Sequence, residues 1–151
     1  MKRYQRKLAG LAVFAAAILF IGIQLSNFSK DTSLKNWANG FEGYVKSSRV
    51  QRESTKPIAL LFYTDWCSSC KALRENILSA DEVKQALTDF HPVKVNPERG
   101  SVNQALAKEY GVKGYPTFLV VNANGSVKLI QRTSGIGPAE FVAQLHAAKS
   151  G

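Results

Sequence analysis

Residues 58–63, IALLFY, form an uninterrupted apolar run of strand length. Alternate residues of a strand point to opposite faces, so a strand without a polar face belongs where helices cover both sides of a sheet. The downstream chain fits that demand. Residues 67–78 read as a helix, and Ser79-Ala80-Asp81-Glu82 carries a start signal for another reaching Asp89. Residues 92–95 read as a short strand and 103–110 as a helix closed by Gly111. Residues 117–121 and 127–131 flank Asn122-Ala123-Asn124-Gly125, a hairpin with glycine where positive φ costs least. Pro138 suits the first turn of a last helix reaching Ala148. The order β, α, β, α, hairpin, α predicts an α/β domain with a mixed central sheet and helices on both faces.

Charge divides the chain before this domain begins. The protein has 151 residues and a formal charge of +9. Lys2, Arg3, Arg6, Lys7 and Lys30 fall in the first 30 residues without an acid among them, whereas the remaining basic side chains are interspersed with all 11 acids. A nucleic-acid surface needs a clustered basic face, so no nucleic-acid partner is expected. Residues 8–25 are 18 residues whose only strongly polar member is Gln24. That length just suffices to cross a bilayer. It exceeds the apolar core of an ordinary signal peptide, and no good cleavage site comes after it. The expected organisation is a cytoplasmic basic flank at 1–7, a transmembrane anchor or signal segment at 8–25, a polar linker with an amphipathic helix at 26–56, and the α/β domain at 57–151. The helix in the linker is read from Leu34, Trp37, Phe41, Tyr44 and Val45, despite Gly40 and Gly43. By the positive-inside rule the domain lies on the periplasmic or extracytoplasmic side of the cytoplasmic membrane, single-pass if the anchor is kept, or periplasmic and free if it is cleaved.

The chemistry centres on Cys67 and Cys70, the only cysteines. A zinc site needs two further ligands, and His91 and His146 stand alone in unrelated segments, so no metal is expected. A haem anchor needs histidine at 71, where the chain has Lys71. A structural disulfide closing so small a loop removes little unfolded-chain entropy. A reversible dithiol–disulfide couple remains, needing no cofactor. Cys67 sits at a helix start, where free N–H groups and the helix dipole favour a thiolate. It is therefore the expected nucleophile and Cys70 the resolving thiol. Asp65 opposes that acidity, Lys71 favours it, and Trp66 is expected to shield the pair.

The segment FYTDWCSSCKAL, with EYGVKGYPTFLVV about 45 residues later and then a glycine-containing hairpin, resembles the thioredoxin fold. Within it, the chain is most similar to the C-terminal thioredoxin-like domain of bacterial transmembrane disulfide-interchange reductases and related small exported proteins. The resemblance implies a cis peptide before Pro116 and a substrate groove lined by Trp66, Tyr115, Pro116 and Thr117. It implies a thiol–disulfide oxidoreductase that reduces or exchanges disulfides of exported proteins and is served by a separate redox partner. Two positions depart from the pattern: Ser68-Ser69 between the cysteines, and Leu61 where many members carry a buried acid. An oxidase or isomerase would use the same site. A non-catalytic chaperone or a copper(I) carrier also stays open, although Met1 is the only methionine.

Overall fold

The structure is a computed structural model that describes residues 34–131, 133 and 135–149. The anchor or signal segment read at 8–25 lies outside the described residues. Among the described residues no helix is long and apolar enough to cross a membrane.

Five strands form one sheet: β1 (Ala38–Asn39), β2 (Ile58–Phe62), β3 (His91–Val95), β4 (Thr117–Val121) and β5 (Val127–Leu129), in the order β1-β3-β2-β4-β5. β3 runs parallel to both β1 and β2, while β4 is antiparallel to β2 and β5. The helices are α1 (Gly40–Ser54), α2 (Ser68–Leu73, prolonged by a π-helical turn at Arg74–Leu78), α3 (Asp81–Leu87), α4 (Ser101–Glu109) and α5 (Pro138–Lys149). The apolar run at 58–63 is indeed central. Every residue of β2 is buried, with Leu60 lying between Val93 and Leu119 and Leu61 between Lys94 and Phe118.

Alternation splits the core in two. Ala59, Leu61 and Tyr63 share one cluster with Phe118 and Val120, covered by Leu73, Ile77 and Leu78 of α2, Val83 and Leu87 of α3, and Phe141 and Leu145 of α5. Ile58, Leu60 and Phe62 share the other with Val93, Val95, Leu119 and Val121, covered by Leu106 and Ala107 of α4 and by Tyr44 of α1. The first cluster holds an edge-to-face chain of rings, Trp37 on Phe118 at 6.1 Å and Phe118 on Phe141 at 5.1 Å. It is also the cluster that contains Cys67 and Cys70.

The stripe read as one amphipathic helix over 34–45 is divided differently. Leu34 and Trp37 precede β1 and pack into the cysteine-bearing cluster, while Tyr44 on α1 packs into the opposite one. Phe41 is exposed, and α1 instead buries Ser47 and Gln51. The cause lies in the glycines. Gly40 takes φ of +67° to turn the chain from β1 into α1, and a Cβ at Gly43 would come within 2.9 Å of the Ala38 backbone. Spacings of three and four match a helix but do not exclude a chain that rounds the edge of a sheet. The buried amide of Gln51 is satisfied by donating to the Val121 carbonyl at 2.8 Å.

Candidate active site

β2 delivers the cysteines. The strand ends at Phe62, Tyr63 N–H still donates to Val95 O at 3.1 Å, and the chain then turns through Asp65 and Trp66 into α2. Cys67 is the N-cap of α2 in extended conformation, and its Sγ accepts the Cys70 backbone N–H at 3.1 Å. A cap oxygen from serine or aspartate is commoner there. Sulfur in that place gains the same stabilisation once it carries negative charge, because a thiolate accepts the N–H more strongly than a thiol. The two cysteines are joined as a disulfide, with Cα atoms 5.2 Å apart.

The two sulfurs are not equivalent. Cys67 is 8% exposed and Cys70 2%. Both are buried, Cys70 the more completely. Leu61, 1% exposed, lies in the same cluster, so the position that could have held a buried acid is apolar. Tyr63 shares that environment, and burial raises its phenol above the ordinary tyrosine value.

At the entry to β4 the Tyr115–Pro116 peptide is cis. Thr117 Oγ1 donates to Gly114 O at 2.7 Å, closing the turn before β4. Tyr115 packs against both clusters, bridging the end of the sheet, and with Pro116 and Thr117 it lines a groove of about 530 Å³ that extends to Tyr110 and Leu129. Tyr110 OH meets Tyr44 OH at 2.6 Å, and burial holds the Tyr110 phenol far above its ordinary value.

Trp66, read from the sequence as a shield for the pair, stands on the turn between β2 and α2. It is 72% exposed, and its indole N–H donates to Glu98 Oε1 at 2.9 Å. Asp65 is also engaged: its Oδ2 accepts from Arg99 Nη2 at 2.9 Å and from Asn96 Nδ2 at 3.1 Å. Asn96, Glu98 and Arg99 belong to the turn between β3 and α4, more than 30 residues away in sequence. Nothing local could have revealed them. The available signal was the polar stretch NPERGS directly after an apolar strand end.

The histidines lie apart from this chemistry. His91 Nε2 pairs with Ser54 Oγ at 2.7 Å, and burial, with the nearby Lys56 charge as a second cause, lowers its pKa. His146 lines a hollow between α3 and α5 with Asp81, Glu82 and Asp89, none of them in the cysteine segment. Among the described residues no three ligating side chains are grouped to hold a metal.

The profile of a thioredoxin-like domain family matches residues 45–149. Thiol:disulfide interchange protein DsbD of Salmonella typhimurium is 37% identical over 93 residues, 60% of this chain but only 16% of that protein. The disulfide bond reductase DsbH of Chlamydia pneumoniae is 28% identical over 118 residues, 72% of this chain and 71% of that one. The crystal structure of the reduced C-terminal domain of Neisseria meningitidis DsbD superposes with a TM-score of 0.63 at 28% identity, covering 74% of this chain and 99% of that domain. The described fold is the thioredoxin fold.

Proposed function

The chain belongs to the thioredoxin-like domain family, and on that premise we propose that it is an exported, membrane-anchored thiol–disulfide oxidoreductase that reduces or exchanges disulfides of extracytoplasmic proteins through Cys67 and Cys70. The observation that carries the reading is the N-cap: Cys67, the less buried residue of the pair, receives a backbone N–H on its sulfur at a helix start. The relatives named for disulfide interchange and disulfide reduction support the chemistry. The basic flank at 1–7 and the apolar segment at 8–25 support the anchor, the linker at 26–56 and the domain at 57–151 the remaining organisation.

The reaction begins with the reduced pair. Cys67 gives its proton to solvent, and the thiolate attacks one sulfur of a target disulfide. That bond breaks, the target's other sulfur leaves as a thiolate and takes a proton, and a mixed disulfide links Cys67 to the target. Cys70 then loses its proton and attacks Cys67 Sγ. The target departs with its second thiol, two electrons richer, and the Cys67–Cys70 disulfide remains. A partner protein must return two electrons for another round. Trp66, Tyr115, Pro116 and Thr117 would hold the target as an extended segment beside the cysteines.

The deciding measurement is the reduction potential of the couple in the full chain, equilibrated in thiol–disulfide buffers. A value near roughly −270 mV makes the protein an electron donor to other exported proteins. A value near roughly −120 mV makes it an oxidant and overturns the reductase direction while leaving the site intact. Cys70→Ser should trap the mixed disulfide in cells; if none forms, the division of roles is wrong.

A further inference from the structure

The proposed exchange, on which this inference rests, needs Cys67 as a thiolate, and the chain places an acid two residues before it. A free carboxylate so close opposes ionisation of the thiol. The fold meets that acid with the turn between β3 and α4. Arg99 Nη2 and Asn96 Nδ2 both donate to Asp65 Oδ2, at 2.9 and 3.1 Å. The turn itself is held from beneath: Asn103, buried on α4, donates to Arg99 O at 2.8 Å and Asn96 O at 3.2 Å and accepts Phe41 N–H at 2.8 Å. The arginine therefore projects from a turn whose backbone Asn103 holds at two carbonyls, and not from a free loop.

The other charges around Cys67 are disposed so that this pairing matters. On α2, Lys71 lies 3.8 Å from Glu75, so the two largely offset each other, and Arg74 follows Cys70 by one helical turn. On the β3–α4 turn, Glu98 is committed to the Trp66 N–H. Tyr63 at the strand end has its phenol raised further above the ordinary tyrosine value by burial and brings no charge. Lys113 lies in the segment leading to Tyr115. Asp65 is thus the acid closest in sequence to the nucleophile, and Arg99 is its cation.

We propose that Arg99 is a positioning residue for disulfide exchange, tying the Asp65 carboxylate to the β3–α4 turn and neutralising it so that Cys67 ionises more readily. The pair is solvent-exposed, at 59% and 56% of the side chains, so the effect is moderate and dependent on salt.

The test uses the full chain in detergent with Cys70→Ser, so that Cys67 titrates alone by its far-ultraviolet thiolate absorbance. Arg99→Met should raise the Cys67 pKa by about half a unit, and Arg99→Lys by less. At a pH below that pKa, attack on a model disulfide should slow about threefold, which is the same half unit expressed as thiolate fraction. In an Asp65→Asn background the Arg99→Met shift should largely vanish, and molar salt should shrink it in the parent. No shift, an equal shift in both backgrounds, or an activity loss uniform across pH with the pKa unmoved would each overturn the proposal. If the coupling holds while the protein with both cysteines intact reduces no disulfide, the charge pairing stands and the exchange reading falls.

Discussion

The cysteine pair has two kinds of neighbour. On the side toward the sheet it rests on hydrocarbon: Leu61, Leu73, Phe118 and Phe141, all at most 1% exposed. On the side toward solvent, the segment that leads into it is laced to the β3–α4 turn by Asp65, Trp66, Asn96, Glu98 and Arg99. The first environment works by area and packing, so it governs stability. The second works through charge and direction, so it governs reactivity. A site that must be rigid in place yet tunable in acidity is served by keeping these two jobs on opposite sides.

The sharpest break of that comparison is to remove the chemistry and leave both sides standing. Cys67→Ser should abolish reduction of insulin or a model disulfide, read by turbidity or thiol release, while circular dichroism stays unchanged; retained turnover would refute the assignment of the nucleophile. The apolar side comes next. Phe118→Ala deletes a ring held between Trp37 and Phe141, and denaturant unfolding should show a loss of roughly 3–5 kcal/mol. The Cys67 pKa of the molecules that remain folded should be unmoved.

On the polar side the stability effect is smaller and the functional one larger. Asn103→Ala leaves Phe41 N–H without its acceptor and takes the side-chain donor from two turn carbonyls, for a loss of about 2 kcal/mol in denaturant unfolding. It should also loosen the turn that carries Arg99, so the Cys67 pKa should rise with it; a stability loss without that rise would separate the two roles. The smallest effect is remote from both sides. His91 is held neutral, first by burial and then by Lys56. Its folded pKa is below the ordinary 6.5, so the folded state binds fewer protons there than the unfolded one. Stability should be full above pH 6.5 and fall as pH drops through the interval below it. His91→Asn should flatten that slope in a pH series of thermal melts, with Cys67 reactivity unaffected.

The difference between the two sides also separates what could be read in advance from what could not. The hydrocarbon side is written in local patterns: the unbroken run at 58–63, the apolar stretch at 117–121, the helix starts at Asp81 and Pro138. Each is a statement about period and length, and each reappears as β2, β4, α3 and α5. The segment from Leu34 to Val45 escaped that kind of reading, because residues three and four apart were divided between two faces of the sheet by a turn at Gly40. Periodicity reports which residues want burial and is silent on which surface buries them.

For the site the division is equally physical. Two cysteines three apart at a helix start mark a dithiol pair, because a capping turn brings such a pair together whatever surrounds it, and the Tyr-Pro-Thr segment downstream carries the family resemblance. How deeply each cysteine is buried, what lies around Leu61, and who answers the charge of Asp65 depended on contacts distant in sequence, those of Asp65 spanning more than 30 residues. Local order came from dihedral preferences and hydrophobic spacing along the chain. The electrostatic setting of Cys67 was decided only when β2 and β3 paired in parallel and carried their exits, Asp65 and Arg99, to the same edge of the sheet, because charge acts through space and not along sequence.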